Sequence, residues 1–95
     1  SWCELQGRVA HQIMSARQSG VKISKTLSTV DDMPASYQPA GTEMIMAAYK
    51  ETQWHSESAR ADAAQRFSEK FEVGCIRSMI HNEKVRALKA QNSES

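Results

Sequence analysis

The sequence predicts an all-α fold: a small four-helix arrangement with a short second helix, in which helix 1 is tied to helix 4 by a disulfide. Three observations predict it. Apolar residues recur at three- and four-residue spacings along most of the chain, the period of one helix face. Only four glycines and two prolines occur in 95 residues, too few for the turns of an all-β domain, while Ala, Gln, Glu, Lys, Arg and Met are plentiful. The two cysteines, Cys3 and Cys75, fall where the first helix opens and where the last major helix closes its apolar stripe.

The first helix is expected over residues 2–18. Trp2, Leu5, Val9, Ile13 and Ala16 form one stripe, flanked by Cys3, Ala10 and Met14, with Glu4, Arg8, Gln12 and Arg17 on the wetter side. Ser19-Gly20 stops it, Gly20 being suited to the left-handed position after the C-cap. After an extended link at 21–23, Ser24 is the expected cap of a short second helix carrying Leu27 and Val30. Asp31-Asp32 ends it, because carboxylates are unfavourable at a helix C-terminus. Residues 33–41, with Pro34, Pro39 and Gly41, read as a loop. Thr42 is the expected cap of the third helix, with Met44, Ile45, Ala48, Tyr49 and Thr52 facing inward.

After a break at 53–55, Ser56 caps the fourth helix, with Glu57 just inside it. Its stripe runs from Ala59 or Arg60 through Ala63, Ala64, Phe67 and Phe71 to Cys75, with Asp62 and Arg66 paired outside. The helix is expected to continue through Ile76, Met79 and Ile80, with Asn82 capping a last segment and residues 91–95 frayed. This divides the chain into one helical domain, 1–82, and a polar, basic, partly frayed extension, 83–95. The expected core is Trp2, Leu5, Val9, Ile13, Ile45, Tyr49, Phe67 and Phe71. Gly7 and Gly74, beside the cysteines, read as places where two backbones come close, since a helix-interior glycine otherwise costs about 1 kcal/mol.

A bridge from the start of one helix to the end of another suits antiparallel neighbours, and needs Cα atoms within about 7 Å. Closing roughly 70 residues stabilises by about 4 kcal/mol in the loop-entropy model. That is comparable with the whole margin of so small a domain. The alternative use is two unrelated buried thiols, since free cysteine packs as a small hydrophobe. The near-terminal place of Cys3, the modest 40% hydrophobic content and the opening Ser1-Trp2-Cys3 without Met, as in a processed exported chain, favour the bridge. Zinc does not fit. Cys3 and His11 are about 12 Å apart along a helix, and Cys75 and His81 lie on different helix faces.

Other chemistry is thinly represented. His11, His55 and His81 fall in three segments, so no nucleophile–histidine order can be read, and oxidised thiols are not nucleophiles. Asp31-Asp32 is the one adjacent acidic pair and sits in a solvated stretch. Copper binding by Met44 and Met46 fails because they lie about 200° apart on a helix, and the five methionines read first as core filling. No cofactor is expected. A formal charge of +1 and the absence of aromatics among the basic residues argue against nucleic acid, and no apolar run approaches a bilayer span.

Partner binding is the remaining use. Trp54, at the break before the fourth helix, is expected to close the core; exposed, it would be the best binding anchor in the chain. Met33, Met46 and Met79 suit an adaptable contact surface. Arg77, Lys84, Arg86 and Lys89, opposed only by Glu83, make a weakly amphipathic basic segment for anionic lipid, a cell-wall polymer or an acidic partner.

An early Cys opening an amphipathic helix, the Arg17-to-Gly20 stop, the Ala48-Tyr49 pair, and Phe71 followed by Cys75 together resemble small exported one-disulfide helical proteins of Gram-negative bacteria. A looser similarity is to acid-stress periplasmic chaperones. The resemblance implies a helical fold and a periplasmic or secreted location, and carries no functional residues. The function expected is a non-catalytic cell-envelope interaction module that binds a protein, as an inhibitor or accessory subunit would, with a homodimer left open. The alternative is a chaperone exposing apolar surface at low pH.

Overall fold

The computed structural model describes residues 1–94. Among these are four α-helices, α1 (Trp2–Gln18), α2 (Ile23–Ser28), α3 (Gln38–Lys50) and α4 (Glu57–Glu94), and no strand. Two short 3-10 turns, Thr29–Asp32 and Ala35–Tyr37, connect α2 to α3.

The Cys3–Cys75 disulfide is formed, with Cα atoms 5.4 Å apart. It fixes the register of α1 on α4, and the pair runs antiparallel: Cys3 meets Cys75, Gly7 meets Ser68 and Glu72, and Gln18 meets the loop that precedes α4. At the second of these points Ser68 Oγ donates to the Gly7 carbonyl at 2.8 Å. A Cβ on Gly7 would lie 3.1 Å from Glu72 Oε1 and 3.3 Å from Ser68 Oγ, so the glycine serves a close approach. Gly74 does not. Nothing lies within 4 Å of where its Cβ would be, and the close packing expected there is absent.

Small residues and the covalent tie rotate α1 by about a third of a turn from its most hydrophobic stripe. Cys3, Gly7, Ala10, Met14 and Gln18 are buried. Ile13 is buried beside them, and Val9 packs at the edge of the core. Trp2 and Leu5, expected inside, are 47% and 40% exposed. The core is instead Ala10, Ile13 and Met14 of α1, Val30, then Met44, Ile45 and Ala48 of α3, and Ala64 and Phe67 of α4. Tyr49 and Phe71 pack against it half-buried, and Phe71 lies against Phe67 with ring centroids 4.8 Å apart.

The helix ends follow local chemistry. Ser1 Oγ accepts from the Glu4 N–H, and Gly20 takes φ +83° after α1. Ser24 does not cap α2; Lys22 holds that place without a side-chain bond. Thr42 does not cap α3, which begins four residues earlier because Pro39 sits in its first turn, where a missing N–H is harmless. Gly41 is therefore helical and buried, with Met33 Sδ 2.7 Å from where its Cβ would be. Thr52 lies beyond α3. Ser56 caps α4 as expected, its Oγ accepting from the Ala59 N–H at 3.2 Å.

α4 runs unbroken to Glu94, so Asn82 starts no new segment; residues 91–94 are helical and Ser95 lies outside the described residues. At 1.5 Å per residue its 38 residues reach about 57 Å, well past the body. The radius of gyration is accordingly 16.6 Å, against about 12 Å for a compact chain of this length.

Candidate binding surfaces

The connection from α3 to α4 carries Trp54 and is held by α1. Gln18, 2% exposed, donates through Nε2 to the Thr52 carbonyl at 2.8 Å and accepts the Trp54 N–H through Oε1 at 2.9 Å. Arg60 Nε donates to the Trp54 carbonyl at 2.8 Å, and Arg17 donates from Nε and Nη2 to the Glu51 carbonyl. Tyr49 lies under the Arg17 guanidinium, 5.5 Å from ring centroid to Cζ. Its hydroxyl donates to the Val21 carbonyl at 2.7 Å, so the Thr26 hydroxyl must be the donor in their 2.7 Å contact. The loop backbone is thus fixed from both sides, while the Trp54 side chain stays 48% exposed rather than closing the core.

α1 packs on both α3 and α4, but α3 and α4 barely approach each other. The gap between them is an open slot. Past the end of α3 it continues into a hollow of about 380 Å³ between α4 and the loop that carries Glu51 and Trp54, over Met14, Ala63 and Phe67, with Lys70 at its side. Toward the disulfide it opens into a second of about 650 Å³ over Met44, Ala47 and Phe71, with Gly74 and Ser78 on the α4 wall. Lys70 borders both. The rim facing α4 is acidic, with Glu43 of α3 and Glu51 just beyond that helix; on the α4 rim Arg66 is already paired with Asp62. Trp2 overhangs the disulfide end and stacks on Tyr37, centroids 5.5 Å apart and both rings about half exposed.

The third surface is the outer face of α4. The body contacts Ala64, Phe67, Phe71 and Cys75; Val73, Ile76 and Ile80 point the other way and are 43–49% exposed. Their three- and four-residue spacing makes one short stripe. Met79 lies nearer the body, its Sδ 3.4 Å from Cys3 Sγ, a packing contact since a disulfide sulfur carries no proton.

No family model, curated protein or solved structure matches the chain.

The partner-binding residues expected from sequence are not brought together. Trp54 precedes α4, and Arg77 follows more than twenty residues later, about 30 Å along the axis. Lys84, Arg86 and Lys89 are exposed on the projecting part of α4. Met46 is exposed on α3, whereas Met33 is half-buried against Gly41 and joins no outer surface with the others. His11, His55 and His81 are all exposed and line none of the hollows described. Sequence reasoning missed the slot and the Trp2–Tyr37 pair. The small residues Ala40, Ala47, Ala63 and Gly74 were its one signal, recurring on facing walls with no large side chain to fill the space between.

Proposed function

We propose that this chain is a non-catalytic interaction module of the cell envelope, periplasmic or secreted, which presents a helical face to a protein partner. The disulfide supports an oxidising compartment. Among the described residues no helix is long and apolar enough to cross a membrane. The observation that carries the reading is the outer stripe of α4: Val73, Ile76 and Ile80, held at fixed spacing on a helix that the disulfide anchors to the body. Apolar side chains grouped on a rigid exposed helix are the anchors of helix-in-groove recognition. The chaperone alternative needs groups whose protonation would open the body. Every described Asp, Glu and His side chain in the burial assignment is exposed except half-buried Glu72, which favours a surface that is always displayed.

The test is affinity capture from an envelope extract of the producing organism with the oxidised chain and with an Ile76→Glu, Ile80→Glu variant. A specific protein retained by the first and lost by the second, with helical circular dichroism unchanged, is the expected result. Identical capture by both overturns the reading.

A further inference from the structure

The protomer shows more surface than its mass requires. A compact 10.6 kDa protein exposes about 5,500 Å². This chain exposes 6953 Å². Roughly 1,500 Å² per protomer is therefore in excess, about 3,000 Å² for two copies, within the range of permanent homodimers. The excess lies in two places: the slot between α3 and α4, and the projecting end of α4.

We propose that two copies of this chain form an antiparallel, two-fold pair in which the projecting half of each α4 lies in the α3–α4 slot of the other. The lengths agree. The helix from residue 81 to 94 is about 21 Å, enough to run from Phe71 past Ala63 along the partner's slot wall. The face agrees. The slot wall of α4, Ala63, Phe67, Lys70, Gly74 and Ser78, continues at the same three- and four-residue spacing as His81, Val85 and Leu88. An antiparallel pair crossing near residue 76 sets Gly74 of one copy against Ser78 of the other and carries Val85 and Leu88 over the partner's Phe67 and Ala63. That crossing gives Gly74 a use. Its missing Cβ leaves open space within one protomer but admits a second backbone, as Gly7 does for α4. Charge agrees as well. Glu51, just beyond α3 on the rim of the Trp54-end hollow, has no ion-pair partner among the described residues, and the crossing brings Arg86 and Lys89 of the incoming helix opposite residues 66 and 63 at that hollow. The outer stripe of Val73, Ile76 and Ile80 is a different face and stays free in the pair.

Sedimentation equilibrium of the oxidised full chain, from low-micromolar to near-millimolar concentration, tests this. The expected mass is twice 10.6 kDa at the upper end. Val85→Glu with Leu88→Glu should give a monomer of unchanged helical content. Gly74→Leu places its side chain in space that is empty within the protomer, so it should leave the helix signal intact and weaken association at least tenfold. Ile76→Glu with Ile80→Glu should leave the dimer intact, which separates this inference from the partner-binding reading above. A monomer at every concentration overturns the proposal. So does a dimer that survives both slot changes, or one that only the outer-face change dissolves.

Discussion

Gln18 is the side chain on which the Trp54 loop depends, and replacing it by methionine isolates what its amide does. Gln18→Met keeps the length and volume of the side chain and leaves no large cavity. It removes the donor to the Thr52 carbonyl at 2.8 Å and the acceptor for the Trp54 N–H at 2.9 Å. Each partly buried backbone group left unpaired costs about 1–3 kcal/mol, and the lower end applies because Thr52 and Trp54 are themselves exposed residues that water can reach. The expected loss is about 2 kcal/mol, or a fall in Tm of roughly 10 °C for a domain this size. Urea unfolding followed by circular dichroism measures it. Gln18→Glu adds a pH dependence. A buried carboxyl accepts the Trp54 N–H in either state but donates to Thr52 only when protonated, so its folded pKa lies above the unfolded value of about 4.3. The variant should therefore approach wild-type stability below about pH 4 and lose stability as pH rises from there through the folded pKa. If Gln18→Met stays within about 0.5 kcal/mol of wild type, or Gln18→Glu is no less stable at pH 8 than at pH 4, the loop is held by something other than this amide.

Replacing both cysteines by serine frees a 72-residue separation and should lower unfolding free energy by about 4 kcal/mol, measurable as a shifted urea midpoint; a change under about 1 kcal/mol means the bridge contributes little to the fold. Tyr49→Phe leaves the Val21 carbonyl and the Thr26 hydroxyl without their partner and should cost about 1–2 kcal/mol by the same assay, with the Thr26→Val, Tyr49→Phe pair losing less than the sum of the single changes. Gly20→Ala forces a side chain to φ +83° and should cost about 1 kcal/mol, whereas Gly20→Asn, which tolerates that conformation better, should lose less; equal losses would point away from backbone strain.

Features set by one or two neighbouring residues were legible before folding. α1 occupies the span that its periodicity marks, Gly20 takes the left-handed turn and Ser56 caps α4; the long-range Cys3–Cys75 pair was legible for a different reason, that two cysteines allow one bridge. What escaped depends on tertiary competition. Trp2 and Leu5 suggested one inward face of α1, but a covalent tie at Cys3, in line with Gly7 and Ala10, brings α4 closer on another. Pro39 looked like a loop residue because proline is ambiguous between a turn and a first helical turn, and only the fit of Met33 onto Gly41 resolves it. Asn82 has the chemistry of a cap, yet the helix around it has no competing structure to interrupt it. The candidate surfaces were the least legible part. Trp54 was expected to close the core, but it is 48% exposed, because its place depends on how Gln18 and Arg60 set the loop. A slot left open between α3 and α4 has no signature in either helix alone.

A covalent joint makes α1 and α4 one unit, and the rest of α4 stands clear of the body. Intact-mass measurement of natively purified protein, with and without a thiol-alkylating reagent under denaturing conditions, tests that joint directly. The expected result is a mass two hydrogens below the reduced chain and no alkylated species until a reductant is added. Two alkylated cysteines in unreduced material would contradict it, removing both the register of the helices and the oxidising compartment.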